Sequence, residues 1–223
     1  MKKLNPLLAI LCIIALLFNS CKNSKVVQSE AVTITPVKKE YQEPPFYHSS
    51  RKKTIDILHT KLQLSFNWDS SFVNGEADLR IKPYFYDLDT IRLDARGFEI
   101  LKLGKKNKNE IVELKYTYEN EVISIPLDKK LSNRDSVEIY IKYIAKPNKL
   151  KVNGSAAIAA DKGLYFINPD GSDKNKPRQL WTQGETQANS CWFPTVDSPN
   201  EKFTQEIYLT IEEGQTSISN GLK

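Results

Sequence analysis

The chain has 223 residues, 40% hydrophobic and 26% charged, with 9 Gly and 11 Pro; these proportions exclude a mainly disordered or collagen-like chain and suit one large or two small domains. Thirty-two Lys and Arg against 27 Asp and Glu leave a net charge of +5, too mild to support a nucleic-acid footprint. Two histidines and three cysteines leave little for metal chemistry.

The first element is a processing signal. Lys2 and Lys3 precede an apolar run from Leu7 to Phe18, followed by Asn19-Ser20-Cys21. The run is too short for a comfortable membrane span. A small residue just before a cysteine at the end of such a run resembles a bacterial lipoprotein signal, in which Cys21 is lipidated and becomes the new N-terminus. An ordinary secretory signal is the alternative; either way the protein is exported, and lipidation of Cys21 would anchor it in the cell envelope. Loss of residues 1–20 removes Lys2, Lys3 and no acid, so the mature charge is +3. Cys191 is then the one thiol apart from Cys21, which excludes an intramolecular disulfide framework. Residues 21–50 are polar, carry Pro36, Pro44 and Pro45, keep no period of 2 or 3.6, and read as a flexible tether.

From residue 51 to 223 the signal is alternation. Leu62, Leu64, Phe66 and Trp68 oppose Lys61, Gln63, Ser65 and Asn67, the pattern of a half-buried strand. It recurs in Ala77-Leu79-Ile81 and in Val112-Leu114-Tyr116-Tyr118. It returns in Val137-Ile139-Ile141-Tyr143 and in Phe203, Ile207, Leu209 and Ile211. Turns are expected at Asn74-Gly75, Asn120, Asn153-Gly154, Asp170-Gly171 and Asn220-Gly221. Lys105, Lys106 and Lys108, and Lys129 with Lys130, read as solvated hairpin tips. No stretch forms a convincing amphipathic helix, the alanines between Ala156 and Ala160 being too few. The expected fold is all-β, an antiparallel sandwich or twisted multi-sheet domain over 51–223.

The chemical inventory is restrictive. His48 and His59 are the histidines; no HExxH helix exists, and no nucleophile-elbow or phosphate-loop pattern accompanies them. The least ordinary segment is Gln179-Leu180-Trp181-Thr182-Gln183-Gly184-Glu185-Thr186-Gln187, then Cys191-Trp192-Phe193-Pro194 and Val196-Asp197-Ser198-Pro199-Asn200. By composition this could be a polar edge strand entering a proline-bounded turn. Yet an amide and a carboxylate two residues apart on one strand project to the same face and can grip a small polar group.

Thr182-Gln183-Gly184-Glu185, then Phe193-Pro194, Asp197 and Pro199, resembles the T-Q-x-E/Q … F-P-x-x-D-x-P signature of the N-terminal β domain of M1-family zinc aminopeptidases, the gluzincins. Asp56-Ile57, His59, Gly75, Gly163-Leu164-Tyr165-Phe166, Lys202, Thr204 and Ser219-Asn220-Gly221 agree with that family in order, so the resemblance covers roughly residues 52 to 223. Thr186 and Thr195 stand where the family often has Ala and Cys. The family's GxMEN and HExxH segments are absent here, Met1 being the sole methionine.

The resemblance implies an exported, lipid-anchored front portion of a metallopeptidase. In it Gln183 and Glu185 bind the free α-amine of a peptide substrate, and the Glu185–Thr186 peptide bond is cis. Zinc and the catalytic residues belong to a catalytic domain this chain does not contain, so the chain alone is expected to bind no zinc and to be inactive. The reading from a different class is a noncatalytic surface lipoprotein whose β-sandwich binds peptide or glycan.

Overall fold

Where the alternation runs longest, it becomes the longest strands. The computed structural model describes residues 51–108, 110–151 and 161–222. The signal at 1–20, Cys21, the tether at 21–50 with His48, the Asn153-Gly154 turn and the Ala156–Ala160 stretch lie outside the described residues. Eleven strands follow one another: β1 (Ile55–Asn67), β2 (Phe72–Pro83), β3 (Leu88–Asp94), β4 (Phe98–Asn107), β5 (Glu110–Glu113), β6 (Thr117–Glu119), β7 (Val122–Leu131), β8 (Val137–Ala145), β9 (Leu164–Ile167), β10 (Gln179–Thr182) and β11 (Thr204–Thr210). Among the described residues the helical elements are two single 3-10 turns, Pro147–Lys149 and Asn189–Cys191, and no helix is long and apolar enough to cross a membrane.

Three sheets result. Six strands line up as β11-β1-β2-β8-β4-β5, three as β3-β7-β6, and two as β10-β9. Cross-strand rows on the inner face of the large sheet explain its order: Leu62 faces Ala77, which faces Ile141, which faces Leu103. The neighbouring row runs Leu64, Gly75, Tyr143 and Ile100. The three-stranded sheet contributes Ile91, Leu93, Ile123 and Ile125, all fully buried, to the same core. At roughly 1.5–3 kcal/mol per large aliphatic side chain removed from water, these rows supply the main favourable term.

Several expectations are corrected. Asn74-Gly75 is not a turn but lies inside β2. A Cβ on Gly75 would sit 2.2 Å from the Tyr143 ring, so the glycine makes room for an aromatic across the sheet. The run from Val112 to Tyr118 is two strands in two sheets, β5 and β6, because the chain crosses between layers at Leu114–Tyr116. Lys129 and Lys130 end β7 rather than forming a tip, and Lys106 lies in β4, where its ammonium is 2.6 Å from the buried Asp78 carboxylate. The sheet is also not wholly antiparallel, since β11 pairs parallel with β1. Finally, among the described residues the apolar side of β11 and of Ile211 just after it is only partly covered: Ile207, Leu209 and Ile211 remain 36%, 36% and 38% exposed. Asn120 does turn the chain, at φ 49° followed by Glu121 at 65°.

Tyr143 joins this frame to the segment that follows β10. Its ring is fully buried, stacks on Phe98 at 4.7 Å, and its hydroxyl donates to the Trp192 carbonyl at 3.0 Å. Burial raises its pKa, so it serves as a donor across the accessible pH range. Tyr143→Phe should cost about 1–3 kcal/mol, the penalty of a buried carbonyl left unpaired, read as a lowered urea midpoint with unchanged slope.

Candidate functional site

The segment with the unusual composition is built outward from the short β9–β10 hairpin. Leu164 faces Thr182 and Tyr165 faces Trp181 across it, with the last two rings stacked at 4.3 Å. On its inner side Phe166 meets Trp68 edge-on at 5.5 Å, which docks the hairpin against the core. The ladder extends one step further, where Gln183 N–H donates to the Gly163 carbonyl at 2.9 Å. The chain then turns, the Ala188 N–H donating to the Gly184 carbonyl at 3.0 Å.

Gln183 and Glu185 therefore do not share a strand, as their spacing predicts; they flank the start of a turn. The turn still brings them together, with Gln183 Nε2 3.5 Å from Glu185 Oε2. Glu185 is exposed and Gln183 half-buried, and the Glu185–Thr186 peptide bond is cis. The side opposite Gly184 is not open, because a Cβ there would lie 2.2 Å from the Asn189 side chain. Gly163, at φ 68°, is equally committed: its Cβ would meet the Ala188 carbonyl oxygen. Gly163 lets two stretches of backbone approach, and Gly184 makes room for the Asn189 side chain, where any Cβ would force them apart.

After the turn the chain goes inward. Ser190 through Thr195 are all buried, and Trp192 and Phe193 meet edge-on at 4.5 Å. Cys191 is fully buried, its thiol pushed up to about 12 chiefly by desolvation, which makes it a packed residue rather than a nucleophile. Buried backbone without a sheet must find partners. Thr195 and Asp94, the last residue of β3, exchange N–H···O bonds of 2.7 and 3.1 Å. Arg96 N–H donates to the Ser190 carbonyl at 2.7 Å, and its Nε to Ser190 Oγ at 3.0 Å.

Asp197 closes this network. Its carboxylate accepts from Ser190 N–H at 2.8 Å, its own N–H donates to the Asp94 carboxylate at 2.9 Å, and its carbonyl accepts from Gln187 Nε2 at 3.2 Å. The Arg96 guanidinium is 3.7 Å from it. Burial raises the Asp197 carboxyl above the ordinary range, against the opposing pull of Ser190 and Arg96. Arg51 pairs with Asp94 on the outer side, and a polar concavity of ≈ 190 Å³ opens here between Arg51, Asp94, Arg96, Glu121, Gln187 and Asp197. Asp94, Arg96, Ser190 and Tyr143 were not singled out from the sequence as site residues. Ser190 lies inside the segment, whereas Asp94 ends β3, Arg96 follows in the turn after it and Tyr143 is in β8; only Asp197 stood in a recognisable pattern.

A second concavity is apolar. It is an open groove of ≈ 710 Å³ between Leu64, Phe66, Trp68, Leu180, Trp181, Trp192 and the exposed stripe of β11. Metal chemistry has no seat among the described residues, where no three His, Cys, Asp or Glu are grouped to hold an ion. His59 is engaged by Thr204 Oγ1 at 2.7 Å and faces Glu206 at 3.4 Å.

Comparison with known proteins follows this geometry. The family model for the peptidase M1 N-terminal domain matches residues 23–223. An M1 zinc metallopeptidase from Deinococcus radiodurans is similar over 70% of this chain and 32% of its own, with TM-score 0.56 and 14% identity. A structure of the Deinococcus enzyme bound to a Tyr-Ser-Ala substrate gives TM-score 0.57 at 15% identity, over 73% of this chain and 34% of that one. Yeast LTA4 hydrolase is similar over 80% of this chain and 27% of its own, at TM-score 0.52 and 18% identity. A sequence relative, transcription initiation factor TFIID subunit 2 of Gallus gallus, is 29% identical over 83 residues, which are 36% of this chain and 7% of that protein. The chain thus spans about a third or less of the proteins it resembles.

The Asp197 carboxyl, with a folded-state pKa raised above 3.8, contributes stability that is fully present below the unfolded value and is lost as pH rises through the folded one. Asp197→Asn keeps an acceptor for Ser190 and buries no charge, so it should gain on the parent between about pH 4 and neutrality. Asp197→Ala leaves the Ser190 N–H unpaired and should lose about 1–3 kcal/mol. Urea denaturation across that pH range reads both.

Proposed function

Because the chain belongs to the peptidase M1 N-terminal domain family, we propose that it is the substrate-anchoring β domain of an exported zinc aminopeptidase. The observation that carries this reading is the state of the motif loop. Its backbone is pinned on the inner side by Asp94, Arg96, Tyr143 and Asp197, while the Glu185 carboxylate is exposed, with no ion pair among the described residues and the Gln183 amide beside it. An exposed carboxylate with an amide beside it suits an ammonium, which offers three donors and one charge. Anchoring the first residue of a peptide in this way sets which bond reaches the reaction centre.

The reaction centre belongs to a catalytic domain outside this chain. A zinc ion held there would supply Lewis-acid chemistry toward the scissile carbonyl and a water; among the described residues no three His, Cys, Asp or Glu are grouped to hold it. The uncovered stripe of Ile207, Leu209 and Ile211 and the groove beside it support the reading, since a domain that is part of a larger protein keeps apolar surface for its neighbour. Lipidation of Cys21 would hold the assembly in the cell envelope; intact mass of the mature N-terminus tests that step alone.

A noncatalytic surface lipoprotein is the second reading, favoured by the same groove and by a sequence relative whose name is that of a transcription factor subunit rather than a peptidase. The complete product of the gene, assayed on amino-acid p-nitroanilides, separates the two. For the active product, Glu185→Ala should raise KM for substrates with a free α-amine by about 10- to 100-fold, as a charge-assisted hydrogen bond contributes about 1.5–3 kcal/mol. N-acetylated substrates should remain as poor as before. Unchanged KM in this variant removes the anchoring role from Glu185 and leaves the motif a polar edge segment, whereas a complete product without peptidase activity returns the domain to the binding-module reading.

A further inference from the structure

The loop between β2 and β3 carries three aromatic residues in a row, Tyr84, Phe85 and Tyr86, and exposes them by 40%, 66% and 79%. Turns between strands ordinarily hold Gly, Asn, Asp or Ser, and no apolar element of the described chain covers these rings. The loop is nevertheless well tied. Tyr84 N–H donates to the Thr54 carbonyl at 3.0 Å, and Asn133 donates through Nδ2 to the Phe85 carbonyl at 2.8 Å and through N–H to Asp87 Oδ1 at 3.0 Å. The Tyr84 and Phe85 rings lie 4.2 Å apart, and the Lys53 ammonium sits 4.8 Å from the Tyr84 centroid. A braced backbone that presents a cluster of rings to water is built for contact with something apolar.

What that something is follows from the same end of the sheet. Residues 51–54 run beside the loop, Ile55 pairs with Pro83, and Leu131 pairs with Leu88, which places Lys52, Lys53, Lys82, Lys129, Lys130 and Arg134 at this end of the sheets, Lys53 held by Asp56 and Glu201 and Lys82 by Asp56. Asp56, Asp87, Asp89, Asp128, Asp135 and Glu201 share this end, six acids for the six cations, so charge is balanced and the rings would carry the affinity. Tyrosine and phenylalanine with flanking lysines are the composition of a membrane interface, where ring bodies enter the headgroup boundary and ammonium groups stay wet. Cys21, the proposed acylation site, precedes Thr54 by 33 residues, so the chain that ties the domain to lipid arrives next to this loop.

We propose that the Tyr84–Tyr86 loop is a second membrane contact, its rings seated at headgroup level in the bilayer that holds the Cys21 anchor. This rests on the lipoprotein reading above. A tethered loop needs only weak intrinsic affinity, because the anchor supplies a high local concentration of lipid. Docking at this end leaves the motif loop, which joins β3 at Asp94, up to about 20 Å further from the lipid, the length of that strand.

The test uses the mature protein reconstituted in vesicles of phosphatidylcholine and phosphatidylglycerol, with a nitroxide at Phe85→Cys or Tyr86→Cys, or at the control Asp69→Cys in the β1–β2 turn at the opposite end of β2. Cys191 is buried and stays unlabelled. Labels at 85 and 86 should be about fivefold less accessible to a water-soluble nickel relaxant than the label at 69, and more accessible to oxygen, as expected within ~5–10 Å of the headgroup boundary. An acylated protein with 85 and 86 as wet as 69 overturns the loop contact and leaves the anchor intact. Shielding at 85 and 86 that is the same in aqueous buffer free of both vesicles and detergent assigns the loop to contact between copies of the protein and also overturns it. An unacylated N-terminus overturns the anchor, and the loop contact then stands or falls on whether added vesicles shield the label.

Discussion

A buried stretch of backbone outside any sheet is the constraint on which this domain is arranged. Between Ala188 and Asp197 the chain passes through the interior with Trp192, Phe193 and Pro194 in its path, and every buried peptide group there must be paired or its desolvation is uncompensated. The partners come from three directions: Asp94 and Arg96 beyond β3, Tyr143 from the middle of β8, and Asp197 from the segment itself. Gly75 exists in the interior of β2 so that the Tyr143 ring can take part. The packing of the large sheet and the shape of the motif loop are therefore one problem with a common solution.

That solution separates rigid from reactive parts. Gly163 and Gly184 bring the hairpin and the turn into contact with Ala188 and Asn189, so the loop has little room to move as a body. Hydrogen bonds on its inner side pair the buried backbone with Asp94, Arg96, Tyr143 and Asp197, and Glu185 is left on the outer side without an ion pair among the described residues. Preorganised polar groups that need not rearrange to meet a ligand lose little on binding. Exposed apolar residues are grouped at the β11 groove and at the Tyr84–Tyr86 loop, with Leu101, Val112 and Tyr116 exposed elsewhere.

Periodicity and the turn residues establish the all-β class, the inner faces of β1, β2 and β8, the turn at Asn120 and the motif around Gln183 and Glu185, because each of these is a local matter of which side a residue faces or which φ it tolerates. The ordered signature also carried the cis bond after Glu185 and the family. Which strand neighbours which is another matter. The parallel pairing of β11, the division of the 112–118 run between two sheets, the place of Gly75 and the open face of Ile207, Leu209 and Ile211 depend on partners far along the chain. So does the support of the motif by Asp94, Arg96 and Tyr143. An alternating pattern specifies that a face is apolar and leaves open what covers it. A polar residue specifies that it needs a partner and leaves open which one. Those assignments were made only when the sheets packed and the buried backbone between them had to be satisfied.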